Sequence, residues 1–230
     1  MNTSAVGIIK LHRVDVAFFD MDHTILGIDC SVSWKHYLEA CGLAPKGSGE
    51  KADYYWGLYC VGKTPVDEFV DFQYREFIGK TPEEMLDMTR QHFDERIAKY
   101  IYPQAQQVLD DYREKNIPTV LVTGTNRYIA QPIIEAMGIT TLLPTEPEII
   151  DGVFTGGYIK PFLFKQGKIL AAQQYCEKLG TSMGRAAFYA DSINDVEMLE
   201  CVGFPVVVNP SELLEPIAKE RQWPIEKWSL

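Results

Sequence analysis

The chain has few cysteines and arranges them in no pattern. Its five (Cys30, Cys41, Cys60, Cys176 and Cys201) are odd in number, scattered, and without Cys-x-x-Cys spacing. That argues against a disulfide scaffold or a zinc ribbon and for reduced thiols in a cytosolic protein. Basic residues are also scarce: Lys+Arg number 22 against 32 Asp+Glu, a net charge of -10. A general nucleic-acid binder, or a protein held on an anionic membrane, would carry a basic surface. Neither partner is expected here, although a bound metal could still reverse the field locally for an anionic substrate. No apolar run approaches the length of a membrane span, and Met1 to Arg13 contains no apolar stretch ahead of a cleavage site. The expected location is cytoplasmic. Internal repeats and low-complexity tracts are missing as well.

What is present is a core. Of the 230 residues, 46% are apolar, enough for one large domain or for a core with a smaller insert. Short apolar runs read as buried strands at Val14–Phe19, Thr119–Val122, Ala186–Ala190 and Pro205–Val208. Helical patterns separate them, and Asp151-Gly152 marks a hairpin turn. Strands alternating with helices predict an α/β fold, a Rossmann-like doubly wound parallel sheet. Between the first two strands, residues 30–100 hold helical patterns and few β-like runs, so an all-α cap is expected there, inserted into a core made of 1–29 and 101–230. Thr64-Pro65 predicts one helix start, with Thr as N-cap, and the capping box Thr81-Pro82-Glu83-Glu84 another.

Polar residues follow the apolar runs at equivalent places. Asp20 and Asp22 follow the first strand. Thr123 and Gly124 follow the second, Lys168 opens a later helix, and Asp191, Asn194 and Asp195 follow the third. In a doubly wound sheet the C-terminal ends of neighbouring strands converge on one crevice. Side chains alternate along a strand, so Asp20 and Asp22 start out pointing the same way. Two crowded carboxylates either share a proton or hold a cation, and Mg²⁺ suits an all-oxygen site. One could then attack phosphorus while the other moves a proton. Each residue also has a plain structural reading: Asp191 as a helix N-cap, Thr123 as a loop hydroxyl, Lys168 as a solvated helix residue. Lys160 and Lys165 compete with Lys168, which the Gly167-Lys168 context favours. His23 reads as a loop residue.

Taken together, Asp20-x-Asp22-x-Thr24, Thr123, Lys168 in Gln166-Gly167-Lys168, and Asp191-Ser192-x-Asn194-Asp195 resemble the haloacid dehalogenase superfamily, in its phosphoserine-phosphatase-like branch with a helical cap after the first motif. The resemblance spans about Val14 to Pro224. It implies a Mg²⁺-dependent phosphomonoesterase acting on a small phosphorylated metabolite. Asp20 would become a transient aspartyl-phosphate, and Asp22 would act as acid and then base. Mg²⁺ would be held by the Asp20 and Asp191 carboxylates and the Asp22 backbone carbonyl. Thr123, Gly124 and Lys168 would hold the phosphoryl oxygens, with Thr24, Asn194 and Asp195 in support.

The family pattern leaves the substrate open. Asp22 argues against dehalogenation, whose leaving group needs no proton, and the lack of membrane spans against a P-type ATPase. Phosphoserine phosphatases carry Ser where His23 stands, Ser-Gly-Gly where Thr123-Gly124-Thr125 stands, a Glu where the shorter Asp29 stands, and a cap Arg for which Arg75 is an imperfect match. Asp29 and Arg75 are therefore the specificity candidates. Histidinol phosphate and phosphatidylglycerophosphate are alternative substrates. A phosphotransferase on the same scaffold and a non-catalytic binding module are the alternative functions.

Overall fold

A computed structural model describes residues 13–230; the N-terminal reading of Met1 to His12 lies outside the described residues. Seven strands form one sheet in the order β4-β3-β2-β1-β5-β6-β7. They are β1 (Val16–Phe19), β2 (Thr119–Asn126), β3 (Thr141–Ile150), β4 (Val153–Ile159), β5 (Ala186–Ala190), β6 (Phe204–Val208) and β7 (Ile225–Glu226). All neighbours pair parallel except β3 and β4. The nine α-helices of the described residues are α1 (Cys30–Ala40), α2 (Ser48–Cys60), α3 (Val66–Tyr74), α4 (Pro82–His92), α5 (Pro103–Glu114), α6 (Arg127–Met137), α7 (Gln166–Leu179), α8 (Val196–Cys201) and α9 (Leu214–Glu220). The first five lie between β1 and β2, the first four of them within residues 30–100. The family resemblance is thus matched by a doubly wound α/β architecture.

The unbroken apolar strands follow from burial on both faces. Ala17 and Phe19 of β1 enter one core with Leu121, Tyr189 and Val206, under helices α5 and α6. Val16 and Phe18 enter the other with Val120, Phe188 and Val207, under α7, α8 and α9. Phe19 stacks on Tyr189 with ring centroids 4.6 Å apart, and Trp228 stacks on the far side of that pair, 6.2 Å from Tyr189. Asn209 pins Trp228 through backbone hydrogen bonds of 3.0 Å in both directions.

Three local expectations needed correction. Thr64 does not cap α3. Pro65 is the N-cap, held out of the helix by a ψ of 94°, and no side chain caps it. The apolar run Thr141-Leu142-Leu143, expected to stand apart from a hairpin over Ile149–Phe154, is continuous with it. Pro144 and Pro147 lie inside β3, which pairs with β2 up to Thr145 and with β4 from Glu146 onward; a strand that changes partner part-way tolerates prolines that would break a continuous ladder. The sheet also ends one strand later than expected, at β7. The hairpin turn itself is as predicted, with Asp151 and Gly152 both at positive φ, the type I′ signature.

The helices of 30–100 have their own buried polar joint. Ser33 Oγ lies 2.9 Å from His92 Nε2, with Trp34 and Tyr37 against the imidazole. Burial, and secondarily the charge of Arg96, pushes His92 down from 6.5 to about 3. The unfolded chain therefore binds a proton more readily than the native one below pH 6.5, and stability falls as pH drops from there toward 3. Denaturant titrations at pH 7 and pH 5 should show that loss, and His92→Gln should flatten the slope between them. An unchanged slope in the variant would show that other groups carry it.

Candidate active site

Asp20 follows β1 directly, one step past Phe19, and alternation turns it to the face that α7 covers. Helix α7 starts where its backbone grazes the preceding loop: a Cβ on Gly167 would sit 2.1 Å from the carbonyl oxygen of Phe162. Only glycine fits this approach, and it brings Lys168 down onto the strand ends. The buried Lys168 ammonium donates to Asp20 Oδ1 at 2.7 Å and to Asp195 Oδ1 at 2.8 Å. The charges of Asp195 and Asp20 outweigh burial and hold its pKa above the ordinary lysine range. Asp195 is raised to about 6, by burial more than by the opposing pull of Lys168.

Asp22 lies in the turn after β1. Its Oδ1 accepts from the Cys30 backbone N–H at 2.7 Å, at the start of α1, and its Oδ2 from the Thr125 hydroxyl at 2.9 Å. Burial first, then the charges of Asp29 and Asp20, raise its pKa and favour the neutral acid. Thr125 was absent from the sequence expectations. Its signal was available, since it is one alternation beyond Thr123 on the same strand, and β2 runs on through Asn126. Thr123 Oγ1 accepts from the Thr125 N–H at 3.1 Å.

Asp191 stands at the end of β5, where its Oδ1 accepts from Thr24 Oγ1 at 3.0 Å. Burial, followed by the charges of Asp20 and Asp195, pushes its pKa up. Ser192 and Asn194 form the next turn. Asn194 Nδ2 donates to the carbonyl of Tyr59 at the end of α2, at 2.9 Å. Lys165 Nζ reaches the Gly62 carbonyl at 3.2 Å, and Lys160 is exposed. Of the three competing lysines, Lys168 is the one bonded to Asp20.

Asp20, Asp22, Asp29, Thr123, Gly124 and Lys168 line one cavity of about 60 Å³, with Ser31 and Thr125 beside them. Asp191, Asn194 and Asp195 are packed behind that lining. Asp29 doubles as the N-cap of α1, its Oδ1 accepting from the Val32 N–H at 2.7 Å. Arg75 is not brought to the cavity: it lies exposed in the turn after α3. His23 adopts a positive φ of 59° and stacks on Trp56 at 4.7 Å, so the loop residue is the one that touches the helical insert.

The residues present fit a hard divalent cation. Asp20 and Asp195 are bonded to the Lys168 ammonium, and Asp22 and Asp191 stand near enough to Asp20 to feel its charge. Asn194 Oδ1 and Asp195 Oδ2 are buried without a partner among the described residues, and both are oxygens, the ligand type Mg²⁺ prefers. No group of three His, Cys, Asp or Glu side chains converges as a ready-made metal cage among the described residues. That is compatible with Mg²⁺, which keeps several waters and takes one or two carboxylates.

The family model for haloacid dehalogenase-like hydrolases matches residues 17–200. The chain belongs to this family. A histidinol-phosphatase of Neisseria meningitidis serogroup C (strain 8013) is 31% identical over 216 residues, covering 92% of this chain and 97% of its own. A solved structure from Bordetella pertussis Tohama I, a protein of unknown function, is 30% identical with a TM-score of 0.83, covering 92% of this chain and 97% of its own. A substrate-bound phosphoserine phosphatase shares the fold at a TM-score of 0.69 and 15% identity, covering 93% and 92%. Likeness in sequence to the phosphoserine phosphatase SerB1 of Mycobacterium tuberculosis (strain ATCC 25618 / H37Rv), 29% identical over 223 residues and covering 93% of this chain and 71% of its own, puts the chain in the phosphoserine-phosphatase-like branch. No helix of the described residues is long and apolar enough to cross a membrane.

The close approach at Gly167 makes a sharp prediction. Gly167→Ala should cost about 1–3 kcal/mol, as overpacking against fixed backbone does, and should lower turnover by moving Lys168. Gly57→Ala, in α2 with open space around it, is the control. Thermal unfolding of both variants checks the contrast, and equal melting points would refute it.

Proposed function

We propose that this hydrolase is a Mg²⁺-dependent phosphomonoesterase that works through an aspartyl-phosphate on Asp20. One observation carries the reading: the Asp20 carboxylate, gripped by Lys168, lies on the floor of a cavity whose wall also presents Asp22 in its acid-favouring setting. An Asp20 oxygen attacks phosphorus in line with the ester oxygen. The O–P bond to Asp20 forms as the bond to the leaving group breaks, and Asp22 gives its proton to the departing alkoxide. Asp22, now a carboxylate, takes a proton from water as that water attacks the acyl phosphate. Inorganic phosphate leaves and Asp20 is restored.

Thr123 and the Gly124 backbone are the donors for phosphoryl oxygens, and Lys168 balances their charge. Mg²⁺, held by Asp20, Asp191 and the Asp22 carbonyl, would offset the repulsion between a carboxylate nucleophile and a phosphate dianion. Thr24, Asn194 and Asp195 position these groups. Residues 30–100 act as the cap over a core of 1–29 and 101–230, excluding bulk water from the reaction. The His23–Trp56 stack and the Asn194 and Lys165 bonds to the Tyr59–Gly62 turn join it to the loops of the site, and the Gly79–Phe154 backbone bond and the Arg90–Glu135 pair hold it farther out. The natural ester is a small phosphorylated metabolite, and the histidinol-phosphatase relative supports that class.

Asp20→Asn should reduce turnover of p-nitrophenyl phosphate by at least about a thousandfold, because losing a nucleophile removes the whole covalent path. A near wild-type rate in that variant would end the mechanism. Separately, EDTA should abolish turnover and Mg²⁺ should restore it, followed by phosphate release; full activity in EDTA would remove the metal from the scheme.

A further inference from the structure

Asp22 is held at both of its oxygens, and the two holds differ in kind. Oδ1 takes the Cys30 backbone N–H at 2.7 Å, a group that can only donate. That oxygen is fixed as an acceptor, so a proton on the carboxyl belongs on Oδ2. Oδ2 meets the Thr125 hydroxyl at 2.9 Å, and a hydroxyl can donate or accept. The other side of the same hydroxyl faces Ser31 Oγ at 3.3 Å. Ser31 follows Cys30 in the first turn of α1, so the two holds on Asp22 close into a ring through adjacent residues. Asp22, Ser31 and Thr125 all line the cavity.

An irregularity in β2 brings Thr125 there. Thr123 registers with Pro144 of β3, yet Asn126 registers with the very next residue, Thr145. Gly124 and Thr125 therefore bulge out of the ladder, and bulges re-aim side chains at strand ends. Both sides of the bulge are pinned. The Thr125 N–H donates to Thr123 Oγ1 at 3.1 Å, and the Asn126 side chain caps α6 by accepting from the N–H groups of Tyr128 and Ile129. Thr125 is buried, so its hydroxyl has no bulk water to turn to. Phosphoserine phosphatases carry glycine where Thr125 stands, so this hydroxyl is not part of the family pattern.

We propose that Thr125 is a positioning residue: its hydroxyl, backed by Ser31, holds Oδ2 of Asp22 as the oxygen that passes the proton to the leaving group. The proposal rests on the phosphomonoesterase reading and adds a residue to it. The Oδ2–H bond breaks as an O–H bond forms on the departing alkoxide. While Oδ2 carries its proton, the Thr125 hydroxyl donates to Ser31 Oγ and leaves that proton aimed at the ester. Once the proton has gone, the hydroxyl donates to the Oδ2 carboxylate instead. A hydrogen bond to a charged acceptor is the stronger of the two, so it grows as the proton transfers and lowers the barrier.

Two esters separate a role in proton transfer from a role in folding. The alkoxide leaving 2-hydroxyethyl phosphate needs a proton, whereas p-nitrophenolate departs without one. The readout is the ratio of kcat/KM for p-nitrophenyl phosphate to kcat/KM for 2-hydroxyethyl phosphate, with the Mg²⁺-loaded enzyme. A general loss of folded protein cancels in that ratio. Asp22→Asn removes the acid and calibrates the scale; it should raise the ratio by about a hundredfold or more. Thr125→Val deletes the hydroxyl and little volume. It should raise the ratio about tenfold or more, the scale of a hydrogen bond to a charged group. Thr125→Ser, which keeps the hydroxyl, should bring the ratio back most of the way to wild type.

A wild-type ratio in Thr125→Val, with Asp22→Asn raising it, would overturn the inference and leave the phosphomonoesterase reading standing. A ratio in Thr125→Ser as high as in Thr125→Val would overturn it too, because packing and not the hydroxyl would then carry the effect. If Asp22→Asn leaves the ratio unmoved, or the wild-type enzyme turns over neither ester, the phosphomonoesterase reading fails and the inference fails with it.

Discussion

The site depends on one buried ammonium. Among the described residues Lys168 is the one cation bonded to the carboxylates that gather where β1 and β5 end, and its two bonds reach Asp20 just past the first strand and Asp195 beyond the fifth. Without it, Asp20, Asp191 and Asp195 would repel one another across a dry interior. Burial and mutual charge already push Asp191 and Asp195 toward their neutral forms. In the proposed reaction, a divalent ion and a phosphoryl group would add charges of opposite sign to this balance. Folding and chemistry therefore draw on the same electrostatic arrangement, and removing one partner leaves the others uncompensated.

Much of this was legible in the chain because parallel strands covered on both faces show up as plain apolar runs. Val16–Phe19 and Ala186–Ala190 could be read as strands, and the acids after them as strand-end residues. Asp20 and Lys168 proved to be bonded across 148 positions of sequence, a pairing that the sheet rule about converging strand ends anticipates. What could not be read was set by tertiary contacts. Thr125 looked like a loop residue because the strand was expected to stop at Val122. Arg75 was singled out as an imperfect match to the family's cap Arg, but the turn after α3 leaves it exposed and off the cavity lining. The partner change inside β3 was hidden behind two prolines.

The helical segment between β1 and β2 touches the site's floor through few but specific groups. His23, flanked by Asp22 and Thr24, takes a backbone conformation costly for a non-glycine residue. That conformation leaves its ring free to stack on Trp56, while Asp22 and Thr24 turn inward to Thr125 and Asp191. One turn thus joins Asp22 and the Thr24–Asp191 pair to α2, and a shift of α2 would be felt at both.

The support beneath Asp20 extends to the end of the described chain. Phe19 rests on Tyr189, and Tyr189 on Trp228, two positions from an exposed Leu230. Replacing Trp228 by a small residue would open a hole under β1, so an edit far along the chain reaches the strand that leads into Asp20.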